Sequence, residues 1–258
     1  MRSYLVTGAA SGIGRATAQL LADRGDRVIG SDLRGADIEA DLATAPGRRR
    51  LVEEAHRLSG GTLDGVIAVA GLSAPMPQTF AVNYFGMTAT LEGLRPLLAA
   101  SKAPRAVGVS SMASLWPTDS ALTDLALAGD EQGALARADE LAESEQSRHL
   151  IYSSSKAAFS RWLRHASVTP EWAGAGIPLN AIGPGTVVTG MTESTLATEE
   201  GRAMLAEAVP MPLNGPAPAI ACAYLLAWLA GPENTHLCGQ TIFADGGCDV
   251  TLRGDSTW

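Results

Sequence analysis

Two periodicities alternate along this chain: short apolar runs of strand length, and longer stretches in which apolar residues recur at helical spacing. The first run, Tyr4-Leu5-Val6, leads into Thr7-Gly8-Ala9-Ala10-Ser11-Gly12-Ile13-Gly14, after which Ile13, Ala16, Leu20 and Leu21 mark one face of a helix that stops at Gly25. A second strand follows over 27–31, a third over 38–42, and a helix opened by Pro46. The β-branched run 64–70, closed by Gly71, reads as a fully buried parallel strand. A long helix is expected over 79–102 with a kink near Pro96, then a strand over 106–110. Residues 115–150 are acidic and alanine-rich, with helical spacing through Leu122, Leu125, Leu135 and Leu141, and read as a helical insertion whose body lies outside the core. A second long helix is expected over 152–172, a strand over 178–182, and the turn Gly183-Pro184-Gly185. Residues 186–212, rich in Thr, Met, Glu and Pro, suit a lid over a substrate pocket. A helix over 217–230 and a strand over 240–244 precede Asp245-Gly246-Gly247. This alternation predicts a single α/β domain over 1–258, a Rossmann-like doubly wound parallel sheet of about seven strands with helices on both faces.

Composition narrows the function classes. The chain has 258 residues, of which 46% are hydrophobic, enough for one sizeable core. A formal charge of −8 with scattered arginines argues against nucleic acid, and the run Arg48-Arg49-Arg50 reads as a solvated helix face. Cys222, Cys238 and Cys248 have neither metal-ligand nor CxxC spacing, so a reduced cytoplasmic chain without a metal is expected. The first strand begins almost at Met1, so no leader is expected, and the longest apolar run, 219–230, is too short to span a bilayer. No membrane partner is therefore expected.

The glycine turn is suited to an anion, because its backbone can approach a phosphate and the following helix presents its unpaired N–H groups there. Asp32 stands at the end of the second strand, where a carboxylate accepts hydrogen bonds from ribose hydroxyls and repels a 2′-phosphate. The expected cofactor is NAD, with Arg15 and Arg34 the nearby cations that would favour NADP. Asp41-Leu42 is placed to border an adenine ring. Tyr152 and Lys156, at i and i+4, share one helix face. An ammonium beside the phenol favours the phenolate, and lowering a pKa of about 10 by about three units takes roughly 4 kcal/mol. Ser111, just past the fifth strand, would bond the same substrate oxygen, and Asn83 would hold a water linking Lys156 to solvent.

In this order the glycine turn, Asp41-Leu42, Asn83-Tyr84-Phe85-Gly86, Ser110-Ser111, Tyr152-Ser153-Ser154-Ser155-Lys156, Pro184-Gly185 through Thr189, and Asp245-Gly246-Gly247 resemble the short-chain dehydrogenase/reductase family over nearly the whole chain. The resemblance implies that Ser111 positions the substrate oxygen and that Tyr152 is the general acid/base. Lys156 binds the nicotinamide ribose, and Asn83 belongs to a proton relay. It places NAD against Gly8, Ser11, Gly12, Ile13, Gly14, Asp32, Leu33, Asp41, Leu42, Ala70, Gly71, Tyr152, Lys156, Pro184, Gly185, Val187 and Thr189, the last at the carboxamide. Two features depart from the pattern. Ala68-Val69-Ala70-Gly71 stands where the family usually has Asn-Asn-Ala-Gly, which removes amides that brace the sheet. The gap from Ser111 to Tyr152 is also unusually long, a feature similar to bacterial 3α-hydroxysteroid dehydrogenase/carbonyl reductases.

Such an insertion flanks the site and would obstruct the helix pair, near 79–102 and 152–172, through which family members form tetramers. A homodimer is expected rather than a homotetramer. Trp116 and Met191 are expected in the substrate pocket, with Met76, Met204 and Met211 as further candidates, so the alcohol or ketone would be bulky and apolar: a steroid, terpenoid or aromatic compound. Three other functions use related chains. Dehalogenases or lyases replace the lysine by arginine, and nucleotide-sensing regulators lose the tyrosine and lysine. Nucleotide-sugar epimerases carry a larger C-terminal domain. Lys156, Tyr152 and the intact glycine turn favour the oxidoreductase.

Overall fold

The computed structural model describes residues 1–256, so the last two residues of the expected domain lie outside the described residues. Its centre is a seven-stranded parallel sheet. The strands, in chain order, are β1 (Ser3–Thr7), β2 (Arg27–Asp32), β3 (Ile38–Glu39), β4 (Gly65–Ala68), β5 (Arg105–Val109), β6 (Leu179–Pro184) and, after the short pair β7 (Val187–Val188) and β8 (Ala217–Pro218), β9 (Thr241–Ala244). The sheet order is β3-β2-β1-β4-β5-β6-β9, with β7 and β8 paired separately. Order reverses between β1 and β4, and that reversal opens a crevice at the carboxyl ends of the strands.

Alternation along the strands sorts side chains onto two faces. Leu5, Val66, Ala106 and Leu179 point into one apolar cluster, while Tyr4, Val6, Ile67 and Val107 point into the other. Helices α1 (Gly12–Asp23) and, late in the chain, Ala219–Leu229 cover the second cluster. The first is covered by α2 (Ala45–Ser59), by the run α3 (Pro77–Phe80), a π-helical turn Ala81–Gly86 and α4 (Met87–Ala99), and by the helix Leu150–Ala166. The expected helix over 79–102 is thus interrupted at the Asn-Tyr-Phe-Gly motif, while Pro96 sits inside α4. Gly86 is required there, because a Cβ would lie 2.9 Å from the Leu42 Cβ.

The insertion contains α5 (Ser120–Leu127) and α6 (Glu131–Ala142), followed by α7 (Leu150–Ala166). Its body does not lie outside the core. Leu122, Ala126, Ala134, Ala138 and Leu141 are buried in the main cluster, and α5 packs on α7. Of the four leucines expected to mark the apolar face, Leu122 and Leu141 are buried, Leu125 is partly buried and Leu135 does not join the cluster; Ala126, Ala134 and Ala138 complete the buried stripe, which faces α7. Arg48 corrects the reading of the basic run in the same way: it is buried and pairs with Glu131 at 2.6 Å, whereas Arg49 and Arg50 are exposed. The helix α7 also ends earlier than expected, since Thr169 precedes Pro170 and is disfavoured in helical conformation. After β6 come α8 (Glu193–Leu196) and α9 (Glu199–Ala208), neither of which buries a residue fully, then α10 (Ala219–Leu229) and α11 (Cys248–Arg253). Among the described residues no helix is long and apolar enough to cross a membrane.

Candidate active site

A cleft of about 670 Å³ runs along the carboxyl ends of the strands, between the glycine turn and the segment after β6. The turn is built by necessity. Gly8 and Gly12 have φ of 69° and 50°, and a Cβ on Gly14 would lie 2.1 Å from the Gly8 carbonyl oxygen. Ser11 precedes α1 without capping it through its side chain, so the first-turn N–H groups are left for another acceptor. A glycine cradle with uncapped N–H groups fits the pyrophosphate of a nucleotide. Thr7 adds support that was not anticipated: its Oγ1 accepts the N–H groups of Val69 and Ala70 at 3.0 and 3.1 Å. This bond ties β1 to the end of β4, where the family's asparagines are missing. The available signal was a hydroxyl side chain closing the strand just before the turn.

At the adenine end, Asp32 accepts the N–H of Ala10 at 2.9 Å and that of Leu33 at 2.7 Å, which fixes its carboxylate at the cleft wall. Asp41 and Leu42 border the same end. Arg15 and Arg34 are exposed and do not line the cleft.

At the other end Ser111, Tyr152 and Lys156 converge. Ser111 caps a short 3₁₀ turn, Met112–Leu115, by accepting the Ala113 N–H at 3.1 Å. Ser110 fastens β5 to α7 through the Lys156 carbonyl at 3.2 Å and the Ser160 hydroxyl at 2.8 Å. Burial pushes the Tyr152 phenol above its usual pKa, and a hydrogen bond with Ser111 opposes that rise. Lys156 is buried, donates to the Val109 carbonyl at 3.0 Å, and has its pKa lowered by burial to about 8. Its ammonium lies 5.8 Å from the centre of the Tyr152 ring. Ser111, rather than Lys156, is therefore the group that offsets phenol burial here.

Every nucleotide residue expected from the sequence lines this cleft, as do Ser111, Trp116 and Met191. Asn83 does not. It is fully buried in the π-helical turn, with Oδ1 accepting from the Leu72 N–H at 2.8 Å and Nδ2 donating to the Leu72 carbonyl at 2.9 Å and Ser155 Oγ at 3.1 Å. Its amide is thus engaged by protein, not held ready for a water. A Cβ on Gly71 would lie 3.1 Å from Asn83 Oδ1 and 3.6 Å from Lys156 Nζ, which places the asparagine just behind the lysine. Met76 and Met204 are exposed and Met211 packs beneath Gly185, so none of the three joins the wall. Met112, Gln78, Leu205 and Val209 take those places. The spacing of Leu205, in the last turn of α9, and Val209, the residue that follows the helix, was the available signal for the last two. Thr189 leans on the glycine turn, its methyl 3.3 Å from where a Gly12 Cβ would be. Among the described residues no His, Cys, Asp and Glu cluster suits a metal. Cys222 and Cys248 are buried thiols with pKa values raised to about 11.

Comparison with known proteins bears on the same regions. Residues 2–122 match the family model described as short chain dehydrogenase, and residues 135–249 match that described as enoyl-(acyl carrier protein) reductase. The 3-alpha-hydroxysteroid dehydrogenase/carbonyl reductase of Comamonas testosteroni is 34% identical, with 98% of each chain covered. The crystal structure of the 3-alpha-hydroxysteroid dehydrogenase from Pseudomonas sp. B-0831 complexed with NADH superimposes with a TM-score of 0.86 at 38% identity, covering 98% of this chain and 99% of that one. The Pseudomonas aeruginosa RhlG/NADP active-site complex superimposes with a TM-score of 0.74 at 25% identity, covering 96% of each chain. With the sheet order, the glycine cradle and these matches together, the chain belongs to the short-chain dehydrogenase/reductase family.

Proposed function

We propose that this protein is an NAD-dependent oxidoreductase that interconverts a bulky, apolar secondary alcohol and its ketone. The observation that carries the reading is the convergence of Ser111, Tyr152 and Lys156 in the same cleft as the glycine cradle. When bound, the nicotinamide supplies the hydride acceptor or donor. The protein's residues do the rest. The first turn of α1 holds the pyrophosphate, Asp32 the adenosine ribose, and Lys156 the nicotinamide ribose. Ser111 orients the substrate oxygen, and Tyr152 exchanges the proton at its phenolic oxygen. Asn83 holds Leu72 and Ser155 in place behind Lys156, so its part in any relay is to fix the backbone that borders the lysine.

NAD over NADP is supported by Asp32 and by the absence of any arginine among the described residues lining the cleft, where Lys156 is the sole cation. The wild type is expected to use NAD with a kcat/KM at least about tenfold above that for NADP, a difference of about 1.4 kcal/mol. Asp32→Ala should erase most of that preference. Initial rates followed by NADH or NADPH absorbance measure both, and equal use of the two cofactors by the wild type contradicts the assignment.

A steroid, terpenoid or aromatic substrate is supported by Met112, Trp116, Met191, Leu205 and Val209 at the catalytic end, where no charged side chain other than Lys156 lines the cleft. In this reading 186–212 closes over the substrate, and the protein is cytoplasmic with its three cysteines free. A homodimer is supported by two features. The insertion covers α7, and Ile220, Tyr224 and Trp228 leave an apolar stripe at i, i+4 and i+8 on α10 that is open to a second copy. Sedimentation equilibrium should give twice the chain mass, and a monomer or tetramer would contradict it.

A further inference from the structure

The three serines between Tyr152 and Lys156 are all buried, and two of them hold the insertion. Ser153 Oγ donates to the Pro117 carbonyl at 2.6 Å, and Ser154 Oγ accepts the Asp119 N–H at 2.9 Å. The chain that leaves Ser111 therefore passes Trp116 at the cleft wall and is fastened within three residues to the turn that carries Tyr152. Asp119 is the point where the insertion's two helices meet. Its Oδ1 caps α5 through the Leu122 N–H at 2.7 Å, and its carboxylate receives Arg137 of α6 through Nε at 3.2 Å and Nη2 at 2.8 Å. Arg137 Nη1 is held in turn by Glu140 at 2.8 Å.

A helix cap needs only the bond to Leu122. The two-pronged guanidinium adds a planar constraint that a point charge cannot supply, and it locks the plane of the carboxylate. A fixed carboxylate fixes the Asp119 backbone, which lies between Trp116 and Ser154. The Asp119 carboxyl is held below its usual pKa chiefly by this bond to Arg137, so the pair stays charged across the working pH range.

We infer that Arg137 is a positioning residue for substrate selection: through Asp119 it sets the Trp116 wall against the turn of α7 that carries Tyr152. The inference rests on the oxidoreductase reading above, so its test includes an arm that needs no turnover. Trp116 emission is isolated as the difference between each protein and its Trp116→Phe counterpart, without nucleotide or substrate. Arg137→Met is expected to shift that emission to the red and to raise its acrylamide quenching about twofold, with Arg137→Lys recovering about half of the change. In the second arm, KM for bulky ketones should rise about five- to tenfold in Arg137→Met. KM for small ketones and kcat should change less than about twofold, with the NADH Kd unaltered. Ser154→Ala, which keeps the ion pair but removes the acceptor for Asp119, should move both readouts in the same direction by a smaller amount. It serves also where Arg137→Met does not fold. A lowered Tm with unchanged Trp116 emission and an unchanged bulky-to-small KM ratio overturns the inference and leaves only a structural clasp. Altered Trp116 emission in a protein that turns over no ketone refutes the substrate reading instead, while supporting the positioning role.

Discussion

Tyr152→Phe is expected to lower kcat by about three orders of magnitude, within the range that a positioned acid/base contributes. The substitution removes one oxygen and keeps the ring against the apolar cluster of Met112, Ala113, Val209 and Cys248. Stability should therefore hardly move, because burial opposes the charged form of this phenol and its one hydrogen-bonding influence is Ser111. The Kd for NADH, measured by fluorescence titration, should stay within about threefold of wild type, since the glycine cradle, Asp32 and Lys156 are untouched. A variant that keeps ordinary turnover would remove the proposed mechanism. The pH profile supplies a second check. Alcohol oxidation needs the phenolate, so kcat/KM for oxidation should rise with pH through the tyrosine's pKa, and ketone reduction should fall through it. Ser111 opposes the burial-driven rise in that pKa, so Ser111→Ala should move the oxidation limb to higher pH as well as slow the reaction.

What was legible in the sequence was what local spacing encodes. A strand, a glycine turn and a helix in immediate succession can close only in a few ways, and the positive φ of Gly8 and Gly12 is the geometry those glycines allow. Tyr152 and Lys156 meet in the cleft because four residues on a helix bring them to one face. The parallel seven-stranded sheet follows from repeated strand–helix alternation, although that alternation alone does not give the strand order. What was illegible depends on partners distant in the chain. Asn83 can be placed on a helix from its motif, but the full use of its amide depends on Leu72 and Ser155 arriving from two other elements. The burial of Arg48 needs Glu131, far along the chain in the insertion, to come opposite it. Leu122 and Leu141 announce an amphipathic stripe without saying what it packs against, and the answer, α7, turned a peripheral excursion into part of the core. The methionines failed for a different reason: composition identifies a soft apolar side chain but not its direction, so Met211 lies under Gly185 while Met191 faces the cleft.

Lys156→Met is expected to abolish turnover and, at pH 7, to make the protein more stable. The lysine is buried, and burial lowers its pKa from the ordinary 10.5 to about 8. Below pH 8 both the folded and unfolded chains hold the proton, and the folded chain carries the whole cost of burying the charge. For a displacement of about 2.5 pH units that cost is about 3 kcal/mol. Between about pH 8 and 10.5 the unfolded chain binds more protons than the folded one, so this residue's contribution to stability improves as pH rises. Above that window the amine is neutral in both states and the cost is gone. Methionine has nearly the same length and no charge, but it leaves the Val109 carbonyl without the bond that Lys156 gives it, a loss of about 1 kcal/mol. The net gain should be about 2 kcal/mol at pH 7 and should shrink almost to nothing by pH 10. Urea unfolding at the two pH values measures it. A loss of stability at pH 7, or an equal gain at both, contradicts the assigned burial cost. The fold would be better served by an apolar side chain at this position. Under the proposed mechanism the cation is kept there at the expense of the protein's own stability because it can donate to the ribose hydroxyls of a bound nicotinamide nucleotide and adds positive charge near the Tyr152 phenol.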